Sequence, residues 1–376
     1  MAKGTMICLA GVALAGVAAA VVAASKSADQ TRHGVQRSVE YETSRDYPQA
    51  ISCLQAELAN HPEHYTLNLR LGWLSYLSGK QAEATRYYQA AMQAAPKSVE
   101  ARLGSLLPLL ADAKYQEAEA SAARIVKDDA GNYYANLRLA IARRLQRKLT
   151  EADAVVQRML TTHPADVLFL AEEAALQAAG LPNSATAAKT PAKKAERLEA
   201  LRVSVEQEKS LNYREAIKTI LAKYDANPND YTFNLRLGWL NYLNGDYRRS
   251  GEYYDTAVRL APQSVEAKLG RLLPLLAGAQ YKEAESMADQ VVQADPGNYY
   301  GNLRLAFALR MQGKLIAANR VVKRMLAAYP ADISWLSESG LLDVAQSRKD
   351  VARETFAEVL ALDPTNALAK QYAAQP

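Results

Sequence analysis

One phrase of four residues, Asn-Leu-Arg-Leu, occurs four times in this chain, at Asn68–Leu71, Asn136–Leu139, Asn234–Leu237 and Asn302–Leu305. Members of each half are 68 residues apart, which is twice 34. The prolines mark the single step of 34: Pro62 and Pro96, then Pro228, Pro262, Pro296, Pro330 and Pro364. Pro164 keeps the same phase, with Ala130 standing where the intervening proline would fall. A fixed period of this length, in an Ala- and Leu-rich chain without strand signals, constrains the fold to stacked helical repeats. An ordinary helical bundle has no reason to repeat at a constant step.

Within one period the small residues recur. The unit 65–98 carries Leu71-Gly72, Ser75, Ala84, Tyr88, Ala91 and Pro96, and the unit 231–264 carries Leu237-Gly238, Ser250, Tyr254, Ala257 and Pro262. Two antiparallel helices approach closely only where side chains are nearly absent, and Gly72 and Gly238, with Ala84 and Ser250 opposite, provide that gap. The proline cannot continue a helix and sets the turn into the next unit. This arrangement resembles the tetratricopeptide repeat, whose pattern runs W-x2-L-G-x2-Y, A-x3-F and P. The leading Trp is replaced by Asn68 and Asn234, and Trp73 and Trp239 follow the Leu-Gly pair instead. The resemblance implies an all-α, right-handed α-solenoid of about nine helix pairs, in two duplicated arms.

The second half copies the first at an offset of 166: Trp73 maps to Trp239, Pro108 to Pro274, Tyr133-Tyr134 to Tyr299-Tyr300, with about half the positions identical. The expected organisation is a first arm at 33–179, a linker at 180–194 and a second arm at 195–376 with a C-terminal capping helix. The linker holds Gly180, Pro182, Pro191, Ser and Thr. In the first copy it replaces the second helix of the fifth unit, which the second copy keeps near Arg348–Leu362. Pro108 and Pro274 fall inside predicted first helices. There a proline removes a hydrogen bond and bends the axis, and the alternatives are a kink or a break into two short helices.

The chain opens with Lys3 and an uncharged Ala-, Gly- and Val-rich run from Gly4 to Ala24. Residues 1–24 read as a signal peptide cleaved before Ser25, or as a retained N-terminal membrane anchor. Either reading places the repeats in the periplasm, or anchored to a bacterial inner membrane and facing the periplasm, unless a retained anchor inserts with its C-terminus inside. Cys8 lies in this leader and leaves Cys53 without a partner, which excludes a disulfide framework. The net charge of +5 comes from interleaved acidic and basic residues and gives no indication of nucleic-acid binding.

No catalytic constellation stands out, so no enzymatic activity, cofactor or metal is expected. His61-Pro-Glu-His64 is an inter-unit turn, and its counterpart Asn227-Pro-Asn-Asp230 has no ligand pair. Glycines are single, so no phosphate-binding loop is present. In proteins similar to this one the first helix of each unit lines a concave groove. Transferred here, that groove carries Arg70, Trp73 and Tyr76, then Tyr134, Arg138 and Arg144, and in the duplicate Arg236, Trp239 and Tyr242, then Tyr300, Arg304, Phe307 and Arg310. Spacings of three and four keep them on one face, and Arg, Trp and Tyr are enriched at binding hot spots. Packing between units is the competing role for the tryptophans, and ion pairing for the arginines. The carboxylate clamp of chaperone-binding relatives is missing, because Leu69 and Leu137, with Trp73 and Ile141, occupy its basic and Asn positions. The expected function is a protein-binding scaffold or assembly factor that takes an extended peptide or helix. Self-association into a larger structure is the alternative, since two like surfaces can propagate.

Overall fold

The computed structural model describes residues 28–181, 191–224 and 227–373, the side chains of 191–195 excepted. The expected leader and the centre of the expected linker lie outside the described residues. Among those residues are twenty helices and no strand. They pair as α1 (28–43) with α2 (Tyr47–Leu58), α3 (Tyr65–Leu77) with α4 (Gln81–Ala94), α5 (Val99–Ala111) with α6 (Tyr115–Asp128), and α7 (Tyr133–Leu145) with α8 (Leu149–Thr162). The single helix α9 (Val167–Ala178) ends this series. The second series pairs α10 (Pro191–Lys209) with α11 (Tyr213–Tyr224), α12 (Tyr231–Leu243) with α13 (Tyr247–Leu260), and α14 (Val265–Ala277) with α15 (Tyr281–Ala294). It continues with α16 (Tyr299–Met311) and α17 (Leu315–Ala328), α18 (Ile333–Ala345) and α19 (Lys349–Leu362), and closes on α20 (Ala367–Ala373). The chain is thus an all-α solenoid of helix pairs. Both proline-containing helices, α5 and α14, run unbroken through Pro108 and Pro274, so a break into two short helices does not occur.

Each inter-unit turn is held at both ends. The residue before the first helix of a unit accepts a hydrogen bond from an amide of its first turn, as an N-cap should. His64, Ser98, Asn132, Asp166, Asp230, Ser264, Asn298, Asp332 and Asn366 all do so. The asparagine of the recurrent phrase then ties the turn from inside. Asn68 Nδ2 donates to the carbonyls of Pro62 and His64 at 2.9 and 3.0 Å. Asn136, Asn234 and Asn302 repeat the arrangement on Ala130 and Asn132, Pro228 and Asp230, and Pro296 and Asn298. All four are buried.

Glycine serves the pair differently from the simple gap expected of it. A Cβ on Gly72 would lie 2.9 Å from the Tyr88 ring, and one on Gly104 would lie 2.3 Å from it. Tyr254 fills the same space against Gly238 and Gly270. Each glycine therefore admits an aromatic wedge.

The chain folds into two compact units, one joining 1–108 with 326–376 and the other spanning 109–325. These do not coincide with the duplicated arms. In the first unit, Val35, Ala50, Ile51, Leu54, Leu67, Leu71 and Leu74 share a core with Ala361 of α19. A second cluster of Leu336, Ala352, Phe356 and Val359 is closed by α20 through Ala369 and through Tyr372, whose ring stacks on Phe356 at 5.0 Å. In the second unit, Ile217, Ile220, Phe233, Leu237 and Leu240 form the corresponding core.

Within each unit a buried carboxyl meets a turn of the other sequence copy. Tyr65 donates to Glu100 at 2.9 Å, and the Ala331 amide donates to the same oxygen at 3.3 Å. At the equivalent place in the second unit, Tyr231 and the Ala165 amide donate to Glu266 at 2.7 and 2.9 Å. Also there, Asp129 and Asp295 face each other's glycine turns, Gly297 and Gly131. Burial raises the Glu266 and Asp295 carboxyls above their ordinary range, and Asp129 adds to the rise at Asp295. Burial pushes Glu100 from 4.5 up to about 7.

An acid raised in the folded state contributes stability below its unfolded pKa and loses that contribution as pH rises through the folded value. Denaturant titrations should therefore show stability falling between pH 4.5 and about 7. Glu100→Gln, which keeps an acceptor without the charge, should flatten the profile in that window. An unchanged slope would remove Glu100 from the account.

Candidate functional site

The first helices α3, α7, α12 and α16 carry the residues expected to line a binding face. On α3, the Arg70 guanidinium points to α1. Its Nη2 lies 2.7 Å from Glu42 Oε2 and its Nε donates to Ser38 Oγ at 3.2 Å. Glu42 uses its other oxygen to accept from Trp73 Nε1 at 2.8 Å, and the Trp73 ring lies 5.9 Å from Tyr76. The duplicate repeats the cluster: Arg236 reaches Ser204 and Glu208 of α10, Trp239 donates to Glu208 at 2.9 Å, and Tyr242 lies between Trp239 and Tyr247. Both guanidinium side chains are only 14% exposed. These arginines join one helix pair to the preceding one.

The other arginines divide. Arg144 is held by the buried Glu172 of α9 through two bonds of 2.6 and 3.1 Å. Arg138 and Arg304 lie over the rings of Tyr134 and Tyr300, each at 5.7 Å. Arg304 also donates to the Leu269 carbonyl. Arg310 lies over Phe307 at 5.1 Å. The large surfaces open to solvent are aromatic: Tyr134 is 55% exposed, Tyr300 57% and Trp73 37%, whereas Tyr76, Tyr242, Trp239 and Phe307 are half-buried. A ring so placed, with a guanidinium on one face, can cover an apolar side chain while the cation meets a carbonyl or carboxylate. Arg70, Trp73 and Tyr76 belong to the first compact unit, and the remaining residues to the second.

The acceptors Ser38, Glu42, Ser204 and Glu208 are absent from the sequence-derived set. The signal that marks them is their own recurrence at the offset of 166, four residues apart on one helix face. His64 acts as a cap, its Nδ1 accepting from the Leu67 amide. With His61 it borders a cavity of about 420 Å³ in the first unit, lined also by Arg32, Val35, Leu336 and Glu358.

Because Arg70 and Glu42 are partly buried and mutually satisfied, removing one strands the other. Arg70→Ala with Arg236→Ala should lower stability by about 1–3 kcal/mol per site, seen as an earlier thermal transition. In a double-mutant cycle, Glu42→Gln should cost much less once Arg70 is already Ala. Equal costs in both backgrounds would mean that the two do not interact.

The tetratricopeptide repeat model matches residues 37–99 and 206–265, and a second tetratricopeptide repeat model matches 275–337. No curated protein matches the sequence. Among solved structures, the chain is similar to MamA, residue 41 to the end, from Desulfovibrio magneticus RS-1. That match has 22% identity and a TM-score of 0.42, covering 48% of this chain and 99% of the other. A thermophilic TPR protein of Thermus thermophilus matches at 18% identity and a TM-score of 0.41, over 47% of this chain and 97% of its own. A tetratricopeptide repeat protein from Parabacteroides merdae ATCC 43184 matches at 17% identity and a TM-score of 0.38, over 82% and 96%. On the two repeat models, and on helix pairs that keep the same 34-residue step through both copies, the chain belongs to the tetratricopeptide repeat family.

Proposed function

We propose that this protein is a scaffold or assembly factor that binds an extended peptide or a helix on its first helices, in the periplasm or at the periplasmic side of a bacterial inner membrane. The general class rests on the family, whose repeat is a protein-interaction module and ordinarily not catalytic. The observation that carries the binding face is the exposure of Tyr134 and Tyr300 with Arg138 and Arg304 stacked behind them, repeated in both copies. A buried structural pair would not leave more than half of each ring in solvent. In the first unit, taken by itself, Trp73 on α3 also offers an exposed ring. Within the second unit, Arg144 and Arg236 would help set the shape of the face, since each is bonded to a glutamate of the chain, Glu172 and Glu208. Location rests on the leader alone. Among the described residues no helix is long and apolar enough to cross a membrane.

The face is tested by a cross-linking pull-down from native membranes, followed by affinity measurement for the recovered partner. Tyr134→Ser with Tyr300→Ser should weaken that partner at least about tenfold, the effect of losing a hot-spot aromatic, at an unchanged melting temperature. Full binding by the double variant would remove the face from consideration.

N-terminal sequencing of the native protein tests the location. Ser25 as the first residue identifies a cleaved signal, and Met1 or Ala2 on an integral membrane species identifies an anchor. An unprocessed chain in the soluble cell fraction would overturn both.

A further inference from the structure

The two sequence copies meet inside the second unit through equivalent turns. The turn Asp129–Asn132 joins α6 to α7, and its copy, Asp295–Asn298, joins α15 to α16. A Cβ on Gly131 would lie 2.3 Å from Asp295 Oδ2, and one on Gly297 would lie 2.3 Å from Asp129 Oδ2. Each aspartate therefore enters the glycine turn of the other copy. The contact is reciprocal, as in an isologous interface between identical subunits.

Part of the acceptor capacity there is filled locally. Asn132 Nδ2 donates to Asp129 Oδ2 and Asn298 Nδ2 to Asp295 Oδ2, both at 3.1 Å. Asp295 Oδ1 is left over. It is buried, and among the described residues no group donates to it. The residue as a whole is 9% exposed. The titratable group that faces it is Asp129. Two carboxylates can only accept, so they hydrogen-bond to each other only when one of them carries a proton. With one proton the pair is satisfied and holds a single charge. With none, two like charges are buried side by side. Burial and the Asp129 charge accordingly push the Asp295 carboxyl up to about 6.

The other acid at this contact differs. Glu266 on α14 faces Tyr231, Asp166 and Tyr133. It accepts from Tyr231 and from the Ala165 amide, and both donors serve a charged carboxylate as well as a neutral one. Glu266 can therefore hold the contact in either charge state, whereas the aspartate pair cannot.

We propose that this turn-to-turn contact is a proton-operated latch: Asp129 and Asp295 hold the two copies together while they share a proton, and release them when both are ionised. Each aspartate stands five residues before an exposed ring of the binding face, Tyr134 on α7 and Tyr300 on α16. The latch thereby sets the separation of these two rings within the second unit, and it stands whether or not the rings bind peptide. A carboxyl raised in the closed state stabilises closure below its ordinary value of 3.8 and loses that contribution as pH rises through about 6.

The test is a spin-label distance across the contact in the full chain. Lys127 and its copy Gln293 are both exposed and lie two residues before the aspartates. Labels enter through Lys127→Cys and Gln293→Cys, with Cys8→Ser and Cys53→Ser removing the native thiols. One short distance is expected at about pH 5, giving way to a longer or broader distribution by about pH 8, with its midpoint at about 6. Asp295→Asn supplies the missing donor without a proton, so that variant should keep the short distance throughout. Asp129→Asn does the same from the other side and carries the test if the first variant fails to fold. A distance unchanged across this range in the chain with both aspartates overturns the proposal. So does opening that persists in the asparagine variant, which would assign it to Glu266 or to another part of the unit. Recovery of the short distance at about pH 8 on adding calcium would put a cation between the carboxylates in place of the proton, and would overturn the latch as stated.

Discussion

The buried asparagine amide is the interaction on which the repeat depends. An inter-unit turn leaves a partly buried backbone carbonyl outside the helices, at Pro62, Ala130, Pro228 and Pro296. Unpaired, each would cost a large part of a hydrogen bond's desolvation. Asn68, Asn136, Asn234 and Asn302 each satisfy that carbonyl and bond also to the cap carbonyl of His64, Asn132, Asp230 or Asn298, which already accepts a backbone amide. In doing so they fix the angle at which one helix pair follows another. At Asn136 and Asn302 the amide oxygen is also used, accepting from Arg158 and from Arg324. The turn, the first helix and the second helix are then one network. This explains why asparagine stands where the family pattern has tryptophan: a polar tie has taken the place of an apolar wedge.

Much of this fold was legible in the chain. The prolines marked the unit ends. The arginines were less legible. Arg70 and Arg236 read as surface groups because periodicity reports which residues share a face, not which neighbour that face meets. Their acceptors lie in the preceding unit, 28 and 32 residues upstream for both, and only the joint recurrence of Ser and Glu marks them. The role of glycine was half legible. A gap was foreseen, but the rings of Tyr88 and Tyr254 that fill it stand on the facing helix.

The composition of the compact units was not legible at all. A repeat array is expected to contact only its nearest neighbours in sequence. Here Glu100 receives a hydrogen bond from Ala331, 231 positions away, and Glu266 one from Ala165. No local pattern announces such a meeting. Its traces are chemical: a carboxyl among apolar neighbours, and two facing aspartates beside two glycines. Each looks unremarkable until the two copies are brought together.

That composition bears on how the chain acquires its structure during synthesis. Domains that close locally can fold as they emerge, the N-terminal ones first. The first unit cannot, because it joins residues 1–108 to 326–376. Val35, Ile51 and Leu54 gain Ala361 as a core neighbour only when the last helices have left the ribosome. Until then the side of that core that meets Ala361 stays open, and closing so long a loop is slow. The first unit is thus held incomplete until its later segment is made, a state suited to interception by chaperones.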